Sequence, residues 1–359
     1  NAYNIIWSPD GNNLLFTSGI KATTQIYSVP VAGGEPRAIT RGTHDYTWIG
    51  AANGILVGSR MSMSMANELF AINPVTGHET QITLVNSDIY KSIGMGKVRE
   101  RWVRTTDGKD MLVWVILPPN FDETKQYPAL LYCQGGPQSA VSQFWSYRWN
   151  FQLMAAQGYI VIAPNRRGLP SFGKEWNEQI SGDYSGQNIQ DYLSAIDDVK
   201  GEPWVDQDCL GAVGASYGGY STFYLAGVHQ GRFKAFISHN GLYNFESFYG
   251  STEESYFPNH DLGGPYWDKD NPIAQRSYNN SPHKLVSEWD TPMLVIVCEK
   301  DFRVPYNQGL EAFNSARLRG IPARLLVYPD ENHWILKPQN AIVWHREFFG
   351  WLKEWLRHE

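Results

Sequence analysis

The chain has 359 residues, 42% hydrophobic and 18% charged, enough apolar material for about two domains. A net charge of −6 argues against nucleic acid as the main partner. No apolar run approaches the eighteen or so residues of a membrane helix; the longest, such as MLVWVIL and PMLVIVC, have strand length.

In chain order, the first eighty or so residues repeat. WSPDGNNLLFTSG and QIYSVPVAGGEPRAIT are answered by WIGAANGILVGSR and ELFAINPVTGHETQIT. Trp7 pairs with Trp48, Tyr27 with Phe70, Gly34 with Gly77 and Thr40 with Thr83, offsets of 41 to 43 residues. Short alternating strands divided by Pro-Asp-Gly, Ala-Gly-Gly, Asn-Gly and Thr-Gly turns, at a period of about 40 to 45, mark β-propeller blades. A propeller closes with about four to eight blades, and only about two are present. The expectation is a partial propeller over residues 1–92, in a natural chain that is longer at its N-terminus.

From residue 93 the pattern changes to a catalytic-type α/β domain over residues 93–359. Strands are expected at 111–117, 129–133, 159–163, 210–215, 234–238, 293–298 and 324–328. Helices are expected at 151–157, 188–199, 217–228, 308–319 and 340–356. The last has two adjoining apolar stripes, Ile342, His345, Phe349, Leu352 and Leu356 beside Trp344, Phe348, Trp351 and Trp355. Near-continuous apolar strands alternating with helices predict a mostly parallel sheet covered on both faces, with ligands beyond the carboxyl ends of its strands. Cys133, Cys209 and Cys298 all sit in or beside apolar runs, read as buried thiols, and lack a zinc-ligand spacing.

Gly214-Ala215-Ser216-Tyr217-Gly218 fits G-x-S-x-G between a strand and a helix. A serine there takes a strained conformation that lifts its hydroxyl above the sheet, and glycines two residues away avoid collision. The hydroxyl needs a base, and the base needs an orienting carboxylate, in the order Ser, Asp, His. EKDFRVP after the 293–298 strand offers Asp301, and PDENHWI after the 324–328 strand offers His333. Glu299, Asp330 and Glu331 compete for the orienting role; Asp301 is chosen for its place past the strand end. His239 follows a strand that is wrong for this order and is read as structural. The backbone N–H of Tyr217 and the loop beginning at Gln134, in LLYCQGGPQS, are the expected oxyanion donors. This chemistry is acyl transfer by an α/β-hydrolase fold and needs no cofactor.

The blade repeats together with GASYGGY, EKDFRVP and ENHWILKPQN resemble the prolyl oligopeptidase family of serine peptidases. CQGGP, NRRG and the C-terminal ENHWILKPQNAIVWHREFFGWL are most similar to its dipeptidyl-peptidase V and acylaminoacyl-peptidase branch. The resemblance implies a propeller that caps the site and admits short peptides, release of N-terminal dipeptides, and a periplasmic or secreted setting. It carries the triad onto Ser216, Asp301 and His333 and the donor role onto Tyr217. Several members place tyrosine or histidine where Gln134 stands. Arg303 matches a position that holds a substrate carbonyl in some members; a surface salt bridge is its other reading. Arg166 or Arg167 is expected to anchor loops beneath the site. Tyr243, Phe248 and Tyr249 are candidates to line a pocket for the residue before the cleaved bond. Glu253 and Glu254 are read as a solvated acidic pair, with binding of a substrate amine as the other reading. Acylaminoacyl-peptidase or oligopeptidase activity, a carboxylesterase and a non-catalytic propeller protein are the competing readings. A homodimer is compatible with the family.

Overall fold

The computed structural model describes residues 1–356. Two antiparallel meanders come first: β1 (Ala2–Trp7), β2 (Asn13–Ile20), β3 (Thr23–Pro30) and β4 (Arg37–Ala38), then β5 (Asp45–Ala52), β6 (Ile55–Ser62), β7 (Met65–Ile72) and β8 (Glu79–Gln81). They meet where Thr24 of β3 lies parallel to Asp45 of β5. The repeat seen in the sequence recurs in the pairing. Tyr27 faces Ala38 in the first unit and Phe70 faces Gln81, each 43 residues later, in the second. Leu15, Ile26, Tyr46, Ile49, Leu56, Phe70 and Ile72 form a small core of their own.

After α1 (Ser87–Ser92) the chain builds a second eight-stranded sheet. Its strands are β9 (Val98–Arg104), β10 (Asp110–Ile116), β11 (Tyr127–Cys133), β12 (Ile160–Pro164), β13 (Val205–Ala215), β14 (Ala235–His239), β15 (Met293–Cys298) and β16 (Ala323–Tyr328). Their order in space is β9-β10-β12-β11-β13-β14-β15-β16. β10 runs antiparallel to both neighbours, and the strands from β12 to β16 are parallel. The expected strands are present. β9 was not foreseen, because VRERWVR is a polar, alternating edge strand rather than an apolar run.

The pleat divides each central strand between two cores. Met111, Val113, Val115, Ala129, Leu131 and Cys133 face one side, and Leu112, Trp114, Ile116, Leu130 and Tyr132 the other. The first side is covered by α3 (Lys174–Glu178), α4 (Gln187–Val199), α5 (Tyr217–Val228) and α9 (Asn307–Leu318). The second is covered by α2 (Phe151–Ala156) and α10 (Pro338–Leu356), through Met154, Trp344, Phe348, Trp351 and Leu352. This is the α/β-hydrolase arrangement, preceded by two propeller-type blades. The segment between β14 and β15 folds as α6 (Phe245–Tyr249), α7 (Tyr256–Asp261), α8 (Pro272–Asn279) and a 3-10 turn over Pro282–Glu288.

The blades are fastened to the hydrolase body. Ser142 Oγ donates to Asp45 Oδ2 at 2.6 Å, the Ala22 N–H to Ser171 Oγ at 3.0 Å, and Gln152 Nε2 to Ser64 Oγ at 2.9 Å. Ala22 and Met63 are buried in the second core. β11 leads to β12 on one side while β13 lies on its other side, so the strand order reverses between β11 and β13. Loops there diverge and leave a crevice.

Candidate active site

Ser216 sits on the crevice, between the last residue of β13 and the first of α5, with φ 59° and ψ −124°. That left-handed conformation costs about 1–3 kcal/mol for a residue with a side chain. The Ser216 N–H donates to the His239 carbonyl at 2.9 Å, and the Ser216 carbonyl accepts from Tyr220 N–H at 2.9 Å, so both backbone groups are held. The flanking glycines are required by space. A methyl group on Gly218 would lie 2.0 Å from the Cys133 carbonyl oxygen, and one on Gly214 2.4 Å from the Gly218 carbonyl oxygen. Residues 217–226 of α5 are buried all round, which anchors the turn in the core.

Asp301 and His333 stand beyond the carboxyl ends of β15 and β16, on the same edge of the sheet as Ser216. His333 Nδ1 lies 2.6 Å from Asp301 Oδ2. The other carboxylate oxygen, Oδ1, accepts the N–H groups of Arg303 at 3.0 Å and Val304 at 2.9 Å. Asp301 is 2% exposed and His333 8%. The carboxylate is thus held by three donors in a dry place, where such bonds are stronger than in water. The rival carboxylates are used elsewhere. Glu331 accepts the N–H groups of Leu336 and Lys337 and a donor from Asn340, shaping the loop that carries His333, while Asp330 bonds Lys337 and Asn340.

The loop after β11 abuts the serine: a methyl group on Gly135 would lie 3.7 Å from Ser216 Cβ and 3.0 Å from the Ala215 carbonyl oxygen. Gln134 is buried; its Nε2 donates to Ser139 Oγ at 3.2 Å, and its Oε1 has no hydrogen-bond partner among the described residues. The Tyr217 ring is buried against Tyr184 and Tyr220, and its hydroxyl donates to Asn188 Oδ1 at 2.8 Å. Its backbone N–H is the first of α5.

Arg303, 43% exposed at its side chain, lies with Nε 2.9 Å from Glu254 Oε1, off the hydrogen-bond axis, and with Nη2 3.7 Å from Glu253. The acidic pair expected to be merely solvated therefore faces this guanidinium. Tyr243 and Phe248, expected to line a pocket, are instead core residues, 3% and 1% exposed, with the Tyr243 hydroxyl donating to Ser315. An aromatic run carries no sign of which rings point inward. Tyr249 keeps part of its ring accessible and meets Trp267 edge to face at 5.4 Å.

Both arginines of NRRG are buried. Arg167 binds Asp191 and Asp107 and stacks on Trp176 at 4.3 Å. The Asp107 carboxyl is held well below its usual range, first by its hydrogen bond from Arg167. His239 is sealed, and burial pushes its imidazole down to about 3, with His333 and Arg148 adding to the effect. Asn240, not among the expected site residues, also belongs to this cluster. Its N–H donates to the Ile296 carbonyl at 2.9 Å, its Oδ1 accepts the Cys298 N–H at 3.1 Å, and its Nδ2 donates to the His333 carbonyl at 3.3 Å. One side chain thus ties the ends of β14 and β15 to the histidine loop. The signal was His-Asn-Gly after a strand, since Asn tolerates the positive φ of 44° found there.

Among the described residues no group of His, Cys, Asp and Glu could hold a metal ion, and no helix is long and apolar enough to cross a membrane.

Residues 145–359 match the profile of the prolyl oligopeptidase family. The chain is 53% identical over 353 residues to dipeptidyl-peptidase 5 of Porphyromonas gingivalis, covering 98% of this chain and 52% of that protein. It is 33% identical over 359 residues to dipeptidyl-peptidase 5 of Aspergillus fumigatus, covering 97% of this chain and 49% of that one. The acylaminoacyl peptidase of Pyrococcus horikoshii superimposes with a TM-score of 0.86 at 24% identity, covering 97% of this chain and 55% of that one, a likeness of fold. The chain spans about half the length of the curated relatives it matches. With the elbow, the buried acid–histidine pair and these likenesses together, the chain belongs to the prolyl oligopeptidase family.

Proposed function

We propose that residues 93–359 are the catalytic domain of a serine peptidase that acts on short peptides and releases N-terminal dipeptides, with residues 1–92 part of a capping propeller. In this reading His333 Nε2 takes the Ser216 hydroxyl proton as Oγ attacks the scissile carbonyl. The tetrahedral oxyanion is met by the Tyr217 N–H and by a donor of the Gln134 loop. His333 returns the proton to the departing amine, leaving an acyl-enzyme. A water, deprotonated by the same imidazole, then releases the dipeptide acid and regenerates Ser216. Asp301 holds the Nδ1–H tautomer throughout and stabilises the imidazolium.

The observation that carries this reading is the 2.6 Å His333–Asp301 contact on the same sheet edge as a serine held at φ 59°. The dipeptide preference draws on the dipeptidyl-peptidase 5 relatives. The test is fluorophosphonate labelling of the full-length protein and of Ser216→Ala, followed by a panel of dipeptidyl and aminoacyl anilides. Labelling lost in the variant and turnover of dipeptidyl anilides are expected. Equal labelling of both proteins would remove the nucleophile, and turnover of aminoacyl anilides alone would remove the dipeptide preference.

A further inference from the structure

Arg166 is fully buried, yet among the described residues it forms no ion pair, whereas its neighbour Arg167 has two carboxylates. A guanidinium does not lose its proton in a protein. A buried charge without a counter-charge is expensive, and ordinarily a core position would be filled by an apolar side chain. The partners of Arg166 are neutral oxygens and the rings of Tyr192 and Tyr217. Its Nε donates to the Tyr192 hydroxyl at 3.0 Å, Nη1 to the Arg167 carbonyl at 2.7 Å, and Nη2 to the Gln134 carbonyl at 3.3 Å. Its Cζ lies 4.5 Å from the centroid of the Tyr217 ring.

Two of these partners, Gln134 and Tyr217, are the residues whose backbone borders the proposed oxyanion site. The planar fork clamps the carbonyl of one and stacks on the side chain of the other. Both elements are thereby fixed to a single rigid group, and an unneutralised positive charge sits behind them. Arg167, with its carboxylates, has no such surplus.

We infer that Arg166 is a positioning residue for the oxyanion site, holding the Gln134 loop and Tyr217 in register and lending positive potential where negative charge develops on the substrate. The inference rests on the acyl-transfer reading above. It requires a contribution to the transition state that exceeds any contribution to ground-state binding.

The experiment compares the full-length protein with Arg166→Met, which keeps length but loses charge and donors, and Arg166→Lys, which keeps charge but loses the fork. Readouts are kcat and KM on a dipeptidyl anilide, affinity for a dipeptide aldehyde that forms a tetrahedral adduct, affinity for the product dipeptide, and Tm. Loss of one oxyanion donor typically costs about 100- to 1000-fold. Acting through two donors without replacing either, Arg166→Met should lower kcat by roughly 30-fold, with KM and product affinity within about twofold. Aldehyde affinity should fall in parallel with kcat, and Arg166→Lys should recover part of both. A kcat within threefold of the parent, or equal losses of aldehyde and product affinity, would overturn the inference and leave Arg166 a structural residue. If Arg166→Met does not fold, Arg166→Lys decides alone: a kcat about tenfold down at unchanged KM supports the inference, and a parental kcat overturns it. A parent protein that neither takes up fluorophosphonate nor turns over the anilide would instead overturn the nucleophile assignment beneath it.

Discussion

Asp301→Asn changes one atom and should disable the proposed base through its tautomer. In the native site Asp301 Oδ1 accepts two backbone N–H groups at 3.0 and 2.9 Å, and Oδ2 lies 2.6 Å from His333 Nδ1. The asparagine must turn its carbonyl toward the two N–H donors, since the reverse orientation would oppose donors with donors. Its NH2 group then fills the Oδ2 position. An amide nitrogen only donates, so His333 Nδ1 must accept, and the ring proton moves to Nε2. The nitrogen needed to take the Ser216 proton is then already protonated. Where a carboxylate–histidine pair has been altered in this way in another serine protease, kcat falls about 10⁴-fold, equivalent to about 5.4 kcal/mol of barrier. The hydrogen bonds around residue 301 are kept in number, so the fold should tolerate the change. The assay is kcat and KM on a dipeptidyl anilide with the full-length protein, beside Tm. The expected result is a loss near 10⁴ in kcat with KM within about threefold. A loss smaller than about tenfold would contradict the tautomer assignment and the role of His333 with it.

Gly218→Ala would place a methyl carbon 2.0 Å from the Cys133 carbonyl oxygen, a backbone atom that moves only with β11; urea unfolding should show a loss of about 3 kcal/mol, with labelling at Ser216 abolished. Arg303→Ala removes an exposed ion pair worth at most about 1 kcal/mol, so Tm should barely move. If Arg303 holds a substrate carbonyl, KM should rise about tenfold, and an unchanged KM assigns it to the ion pair alone. Phe248→Ala, at a position 1% exposed, should cost about 3–5 kcal/mol in stability, whereas Tyr249→Ala should act on KM if its ring lines the substrate pocket; the reverse pattern would contradict the burial assignment. His239 is neutral in the fold down to pH about 3, while the unfolded chain takes up its proton near 6.5. The unfolded state therefore binds the extra proton, and stability present above pH 6.5 is lost as pH falls toward 3. Between pH 7 and 4.5 the native protein should lose roughly 2–3 kcal/mol more than His239→Leu does, measured by urea unfolding; equal losses would contradict the buried neutral ring.

Much of the fold was legible in the chain because its causes are local. The apolar strands β11, β13 and β15 follow from the length of their apolar runs and the helix α10 from its apolar period, and the elbow at Ser216 follows from two glycines that only a crowded turn requires. The order of Ser216, Asp301 and His333 is likewise written in which strand each one follows. The edge strand β9 escaped because half its environment is solvent, and the short helices between β14 and β15 escaped because they are too brief to show a period.

What the linear chain leaves open is settled by contacts between distant segments. Four carboxylates flank the last two strands, and only the closed fold sets Asp301 against His333 while turning Glu331 and Asp330 to their own loop. Arg166 and Arg167 are adjacent and chemically identical, yet among the described residues Arg167 pairs with carboxylates and Arg166 does not. Asn240 acquires its bridging place only when β14, β15 and the histidine loop come together. Hydrophobic period and turn sterics act over a few residues and can be read directly. Burial, hydrogen-bond choice and charge pairing depend on which surfaces meet, and no stretch of sequence holds both sides of such a contact.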